Sequence, residues 1–116
     1  MEINLKKNEI TLREIGEQYQ EFVRFVYKHL YNLNLHIYYT KDEQYSIGEC
    51  EEGIEIKFDR NLSKTNNLYI ETHEKTKYGK YIESGVLRED NSIKYLIGNY
   101  KYLFLFDKRV LKKYII

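Results

Sequence analysis

Along this chain, apolar side chains recur first at helical spacing and then at strand spacing. Leu12, Ile15, Tyr19, Phe22, Val23, Val26, Leu30 and Leu33 form one stripe, which predicts an amphipathic helix over about 11–32. Thr11 and Glu14 stand three apart at its start, the spacing of a capping box that satisfies free amides of the first turn. Beyond it the period drops to two. "LHIYYT" (35–40), "QYSIGE" (44–49), "GIEIKFD" (53–59) and "LYIETHE" (68–74) all read as strands. "NLSKTNN" (61–67) and "KTKYGKY" (75–81) read as polar loops. "IKYLIG" and "YLFLF" flank a short connection that suits a hairpin. Asp107 stands where it would cap a short last helix, "KRVLKKYII". The order α, several β, α predicts an α+β fold with a mixed or mainly antiparallel sheet. A long N-terminal helix and a short C-terminal one would flank it.

At 116 residues the chain has the size of one domain, 1–116. Its 42% hydrophobic content favours a packed core over disorder. With 19 basic and 18 acidic side chains, net charge neither demands nor excludes nucleic acid, because a basic patch is a local property. Cys50 is the one cysteine, so no disulfide forms within the chain. A reducing, cytoplasmic compartment is expected, with Cys50 structural. "MEINLKKNEI" has no apolar signal-like core, and no run reaches membrane-spanning length. His29, His36 and His73 have no zinc-ligand spacing, and there is no Gly-rich phosphate loop.

Chemistry gathers in "GECEEGIEIKFD" (48–59). Strand period puts Glu55, Lys57 and Asp59 on one face, with Glu55 and Lys57 about 7 Å apart at Cα. A carboxylate beside an ammonium suits a Mg²⁺ ion and an activated water at a phosphate. Glu49 precedes a turn of odd length, 50–52, with Gly53 suited to the left-handed position that follows, so Glu49 can share the face of Glu55. "EIK" is the one acid-x-Lys match in the chain. The same alternation also suits an edge strand with a solvated face. Glu71 shares a face with Tyr69 and His73 and suits a supporting role. Lys75, Lys77, Tyr78 and Lys80 mix base and aromatic, a combination that tracks phosphates and stacks bases.

The run "GECEEGIEIKFDRNLSKTNNLYIE", followed by Ser84-Gly85-Val86 and "YLIGNYKYLFLFDK", resembles small phage and bacterial members of the PD-(D/E)xK nuclease superfamily over about residues 48–108. The resemblance implies a restriction-endonuclease-like fold and cleavage of DNA with Mg²⁺ or Mn²⁺. It implies Glu49 and Glu55 as metal ligands and Lys57 as the catalytic lysine. The first acid of that pattern is usually Asp, and here it is Glu. Asp42 is a rival for its place. Family members often add a group from the first helix, for which Gln18 has the geometry and Glu21 the charge. An alternative on the same scaffold is a catalytically inactive protein that binds another protein, such as a phage inhibitor of a host defence enzyme. Cutting both strands would call for a homodimer.

Overall fold

The computed structural model describes residues 11–115. The apolar-poor segment 1–10 and the last residue of the predicted final helix lie outside them. The chain folds as a small α+β domain. Helix α1 (Leu12–Tyr31) is followed by α2 (Lys41–Ser46), β1 (Ile54–Phe58), the one-turn α3 (Leu62–Thr65), β2 (His73–Lys75) and β3 (Tyr81–Glu83). A 3₁₀ turn (Gly85–Leu87), β4 (Lys94–Gly98), β5 (Leu103–Asp107) and α4 (Lys108–Ile115) complete it. The central sheet has the order β1-β4-β5. β1 pairs with β4 in parallel, and β4 pairs with β5 antiparallel, so the sheet is mixed.

α1 begins as its pattern predicts. The Thr11 hydroxyl accepts the Glu14 N–H at 3.1 Å, and the helix ends at Asn32 in the left-handed conformation, φ 54°. Tyr19, Val23 and Tyr27 pack on Ile54, Ile56 and Leu96 from one face of the sheet. On the other face, Tyr95 and Ile97 pack with Val86, Leu87, Phe106, Leu111 and Ile115, from the 3₁₀ turn, β5 and α4. Register places Glu55 beside Tyr95 and Lys57 beside Ile97. The charged face of β1 is therefore not the wet side of an exposed sheet, because α4 and the 3₁₀ turn lie over it.

Four expectations are corrected. Residues 35–40 form no strand beyond a single antiparallel bridge of Ile37 to Cys50, because their backbone partners are the irregular segment 49–51. Residues 44–49 are not a strand. Thr40 caps Glu43 N–H at 3.1 Å and its hydroxyl bonds the Glu43 carboxylate, so a second capping box starts α2 and overrides the local β-formers. Residues 68–72 form no strand, because Asp59 and the 3₁₀ turn take their backbone groups: Tyr69 N–H donates to Asp59 Oδ2 and Val86 N–H to Glu71 O. Residues 75–81 are not a plain loop but the tip of the β2–β3 hairpin, turned at Gly79 with φ 81°. Among the described residues, no helix is long and apolar enough to cross a membrane.

Candidate active site

The segment before β1 folds against the strand's outer edge. Gly53, with φ 73°, closes the turn that its sequence context predicts. Cys50 Sγ lies 3.4 Å from Ile54 N and 3.3 Å from Ile54 O, accepting from one and donating to the other. Burial raises the Cys50 thiol pKa and keeps it protonated for that role. Glu49 Oε2 accepts the N–H of Ile56 at 2.8 Å and the Gln20 amide at 3.2 Å. Its other oxygen, Oε1, lies 3.4 Å from Lys57 Nζ.

Lys57 Nζ is also 3.8 Å from Glu55 Oε2, so the Glu49 and Glu55 carboxylates converge on one ammonium. On its far side Glu55 faces a second ammonium, Lys108 Nζ, at 3.5 Å. Lys108 opens α4 and is buried; it also donates to Arg88 O at 2.9 Å and to Asp90 Oδ1 at 3.1 Å. Glu55 is 3% exposed, and neither of its oxygens has a hydrogen bond. Burial pushes its carboxyl up to about 7, against the pull of Lys57 and with the push of Glu49. Lys57 moves up as well: burial works to lower it, but Glu49 and Glu55 outweigh that. Its side chain is still 37% exposed, so the ammonium reaches solvent. The Tyr95 hydroxyl is buried beside this cluster without a partner and is raised by that burial.

Two open cavities meet at Lys57. One, of about 320 Å³, lies against α1 and is lined by Arg13, Gln20, Glu49 and Arg60. Its floor includes Gly16, where an added Cβ would meet nothing within 4 Å. The other, of about 300 Å³, is lined by Arg60, Asp59, Tyr69, Glu71 and Tyr95. Lys57 and Arg60 therefore stand between two hollows, each large enough for a small ligand group.

Other predicted site residues are placed differently. Asp59 is buried, and its oxygens accept the N–H groups of Asn61 at 3.0 Å and Tyr69 at 2.8 Å, which ties the 60–69 loop to the end of β1. Glu71 lines the second cavity. Gln18 is exposed, and Glu21 bonds Tyr39 and Arg24 in a separate hollow. The helix residue that joins the cluster is Gln20, on the opposite edge of the apolar stripe, with Gly16 one turn before it as the signal for open space. Asp42 is exposed on α2. Lys75, Lys77, Tyr78 and Lys80 sit on the β2–β3 hairpin and line neither cavity at Lys57. Comparison with protein-family models, curated proteins and solved structures finds no match.

The donor set suits a hard divalent cation in part. Glu55 offers buried carboxylate oxygens without hydrogen bonds, and Glu49 Oε1 faces the same point. Mg²⁺ sites commonly use one or two carboxylates and complete the shell with water and phosphate oxygens. Lys57 occupies the space between the two acids and competes with a cation there. Among the described residues, the set of three ligand-type side chains that converges most closely is the exposed His36, Glu51 and Glu52. There His36 Nδ1 is already bonded to Glu52 at 2.6 Å, and that bond raises the imidazole pKa.

Proposed function

We propose that the protein is a divalent-metal-dependent DNA nuclease of restriction-endonuclease-like fold, hydrolysing a phosphodiester beside Lys57. The observation that carries this reading is the pair of carboxylates, one buried without a hydrogen bond, converging on a partly exposed lysine at the mouth of an arginine-lined cavity. Mg²⁺ or Mn²⁺, held by Glu49 and Glu55, would supply Lewis-acid polarisation of the phosphate and a more acidic water. The chain's own residues do the rest. Gln20 and the Ile56 N–H orient Glu49, while Lys108 faces Glu55 from behind. Lys57 steadies the attacking water or the negative charge that grows on the phosphorus oxygens. Arg13 and Arg60, on the cavity walls, neutralise flanking phosphates.

A specific observation favours a second reading. Lys57 and Lys108 offset two of the three carboxylates Glu49, Glu55 and Asp90 without any metal ion, and burial favours the neutral form of Glu55, as in an inert scaffold that binds a protein partner. Nicking of supercoiled plasmid separates the two. The nuclease reading expects nicking in Mg²⁺ or Mn²⁺, none in EDTA, and none from Glu55→Gln or Lys57→Ala. Activity surviving Lys57→Ala in a pure preparation would overturn the site; no nicking of duplex, single-stranded or branched DNA would favour the inert scaffold.

A further inference from the structure

β5 is the outer strand of the sheet, yet its sequence is that of an inner one. Leu103, Phe104, Leu105 and Phe106 are apolar at successive positions, a composition expected of strands covered on both faces. An edge open to water ordinarily carries charge, proline or a bulge. Here Phe104 is 40% exposed and Leu105, on the opposite face, 49%. Tyr102 before them and Val110 after them are also exposed.

The backbone shows which groups face outward. Asn99 N–H donates to Tyr102 O, and Lys108 N–H donates to Ile93 O. The even-numbered residues of β5 therefore turn their N–H and C=O toward β4, and Leu103, Leu105 and Asp107 turn theirs away. Among the described residues, no backbone hydrogen bond reaches the outward groups of Leu103 and Leu105.

We propose that a second copy of this chain pairs with β5, antiparallel and about a two-fold axis, to make one continuous six-stranded sheet. Charge selects the register. With Phe104 opposite its own copy, Leu103 pairs with Leu105, Tyr102 with Phe106, and Lys101 stands opposite Asp107. Centring the axis on Leu105 instead sets apolar Leu103 against charged Asp107, the last residue of the strand. Centring it on Leu103 sets Lys101 against Leu105. The Phe104 register alone joins apolar to apolar along the strand and opposite charges at both ends. It also joins the outward-facing groups of Leu103 and Leu105 in hydrogen-bonded pairs. Because the same patch serves both partners, the assembly closes at two.

Sedimentation equilibrium on the full chain tests this. The expected mass rises with concentration toward twice 14.2 kDa, and Leu105→Lys holds it at the monomer while leaving far-ultraviolet circular dichroism unchanged. Register is tested by cross-linking. In the proposed pairing, the two 104 positions form a non-hydrogen-bonded pair about 4.5 Å apart at Cα, within reach of a disulfide. Phe104→Cys should therefore give a covalent dimer on mild oxidation. Leu105→Cys should not, since its counterpart lies beyond about 7 Å. Cys50 is fully buried and does not interfere. A monomer at every concentration, a dimer indifferent to Leu105→Lys, or cross-linking at 105 in preference to 104 would overturn the proposal. So would dimers that appear only after residues 1–10 are removed, since the chain's own N-terminal segment would then hold the edge.

Discussion

Replacing Glu55 by glutamine removes one charge from the buried face of the sheet and keeps the side chain's shape. The folded protein holds the Glu55 proton up to about pH 7, against an ordinary value of 4.5. Between those values the native state carries a proton that the unfolded chain has released. Stability therefore falls as pH rises through this window and levels off above it. At about 1.4 kcal/mol per pH unit, the gap corresponds to roughly 3 kcal/mol. The glutamine variant lacks this dependence and should gain about that much relative to the parent between pH 4.5 and pH 7.5. Urea unfolding in EDTA measures it: with an m value of about 1.5 kcal/mol per molar, the midpoints should separate by about 2 M across the range. Repeating the series in millimolar Mn²⁺ should close much of that gap, since a cation on the carboxylate restores a reason to ionise. If parent and variant keep parallel stability curves from pH 4.5 to 7.5, Glu55 is ionised throughout. Lys57 and Lys108 then outweigh its burial, and the argument for an acid held ready for a cation fails.

On the nuclease reading, Lys57→Ala should keep the fold and lose cleavage, yet it should bind Mn²⁺ more tightly than the parent by calorimetry, because the ammonium between Glu49 and Glu55 competes with the ion; weaker binding would contradict that geometry. Asp59→Ala should lower stability by about 2 kcal/mol in chemical denaturation, since it leaves the Asn61 and Tyr69 N–H groups without a charged acceptor. Cys50 should resist a disulfide reagent in the native protein and react on unfolding; rapid native labelling would refute its role in holding Ile54.

Much of the frame was legible because local rules agreed. The stripe from Leu12, the Thr11 capping box, the β4–β5 hairpin and the Asp107 cap, which accepts Arg109 N–H at 2.9 Å, all follow from neighbours in sequence. α2 was misread although Thr40 and Glu43 carry the same capping signature as Thr11 and Glu14; the aromatic and β-branched content of 35–47 masked it. The parallel pairing of β1 with β4 bridges a long connection with no helix beyond one turn, so periodicity could not reveal it. The same holds for the site. Glu55 and Lys57 share a face by strand parity, but Glu49 joins them by another route than the expected hairpin: it follows α2, and its carboxylate reaches the Ile56 N–H at the strand edge. Lys108 and Asp90 reach Glu55 only through tertiary packing, and nothing local marks either as its neighbour. Gln20 lies on the edge of the apolar stripe opposite Gln18, and helical periodicity does not say which edge meets the site.

The two borders of the central sheet behave oppositely. On the β1 side, the Cys50 thiol and the Glu49 carboxylate take the ladder positions at Ile54 and Ile56 that a further strand would use. That border is sealed by side chains, and among the described residues growth of the sheet is left to β5. A chain with one open border can form a closed pair but cannot polymerise end to end. Substituting Glu49 thus removes a site acid and also uncovers a second border. Such variants should be watched for thioflavin-positive filaments, and a loss of activity at this position should be credited to chemistry only in samples that remain free of them.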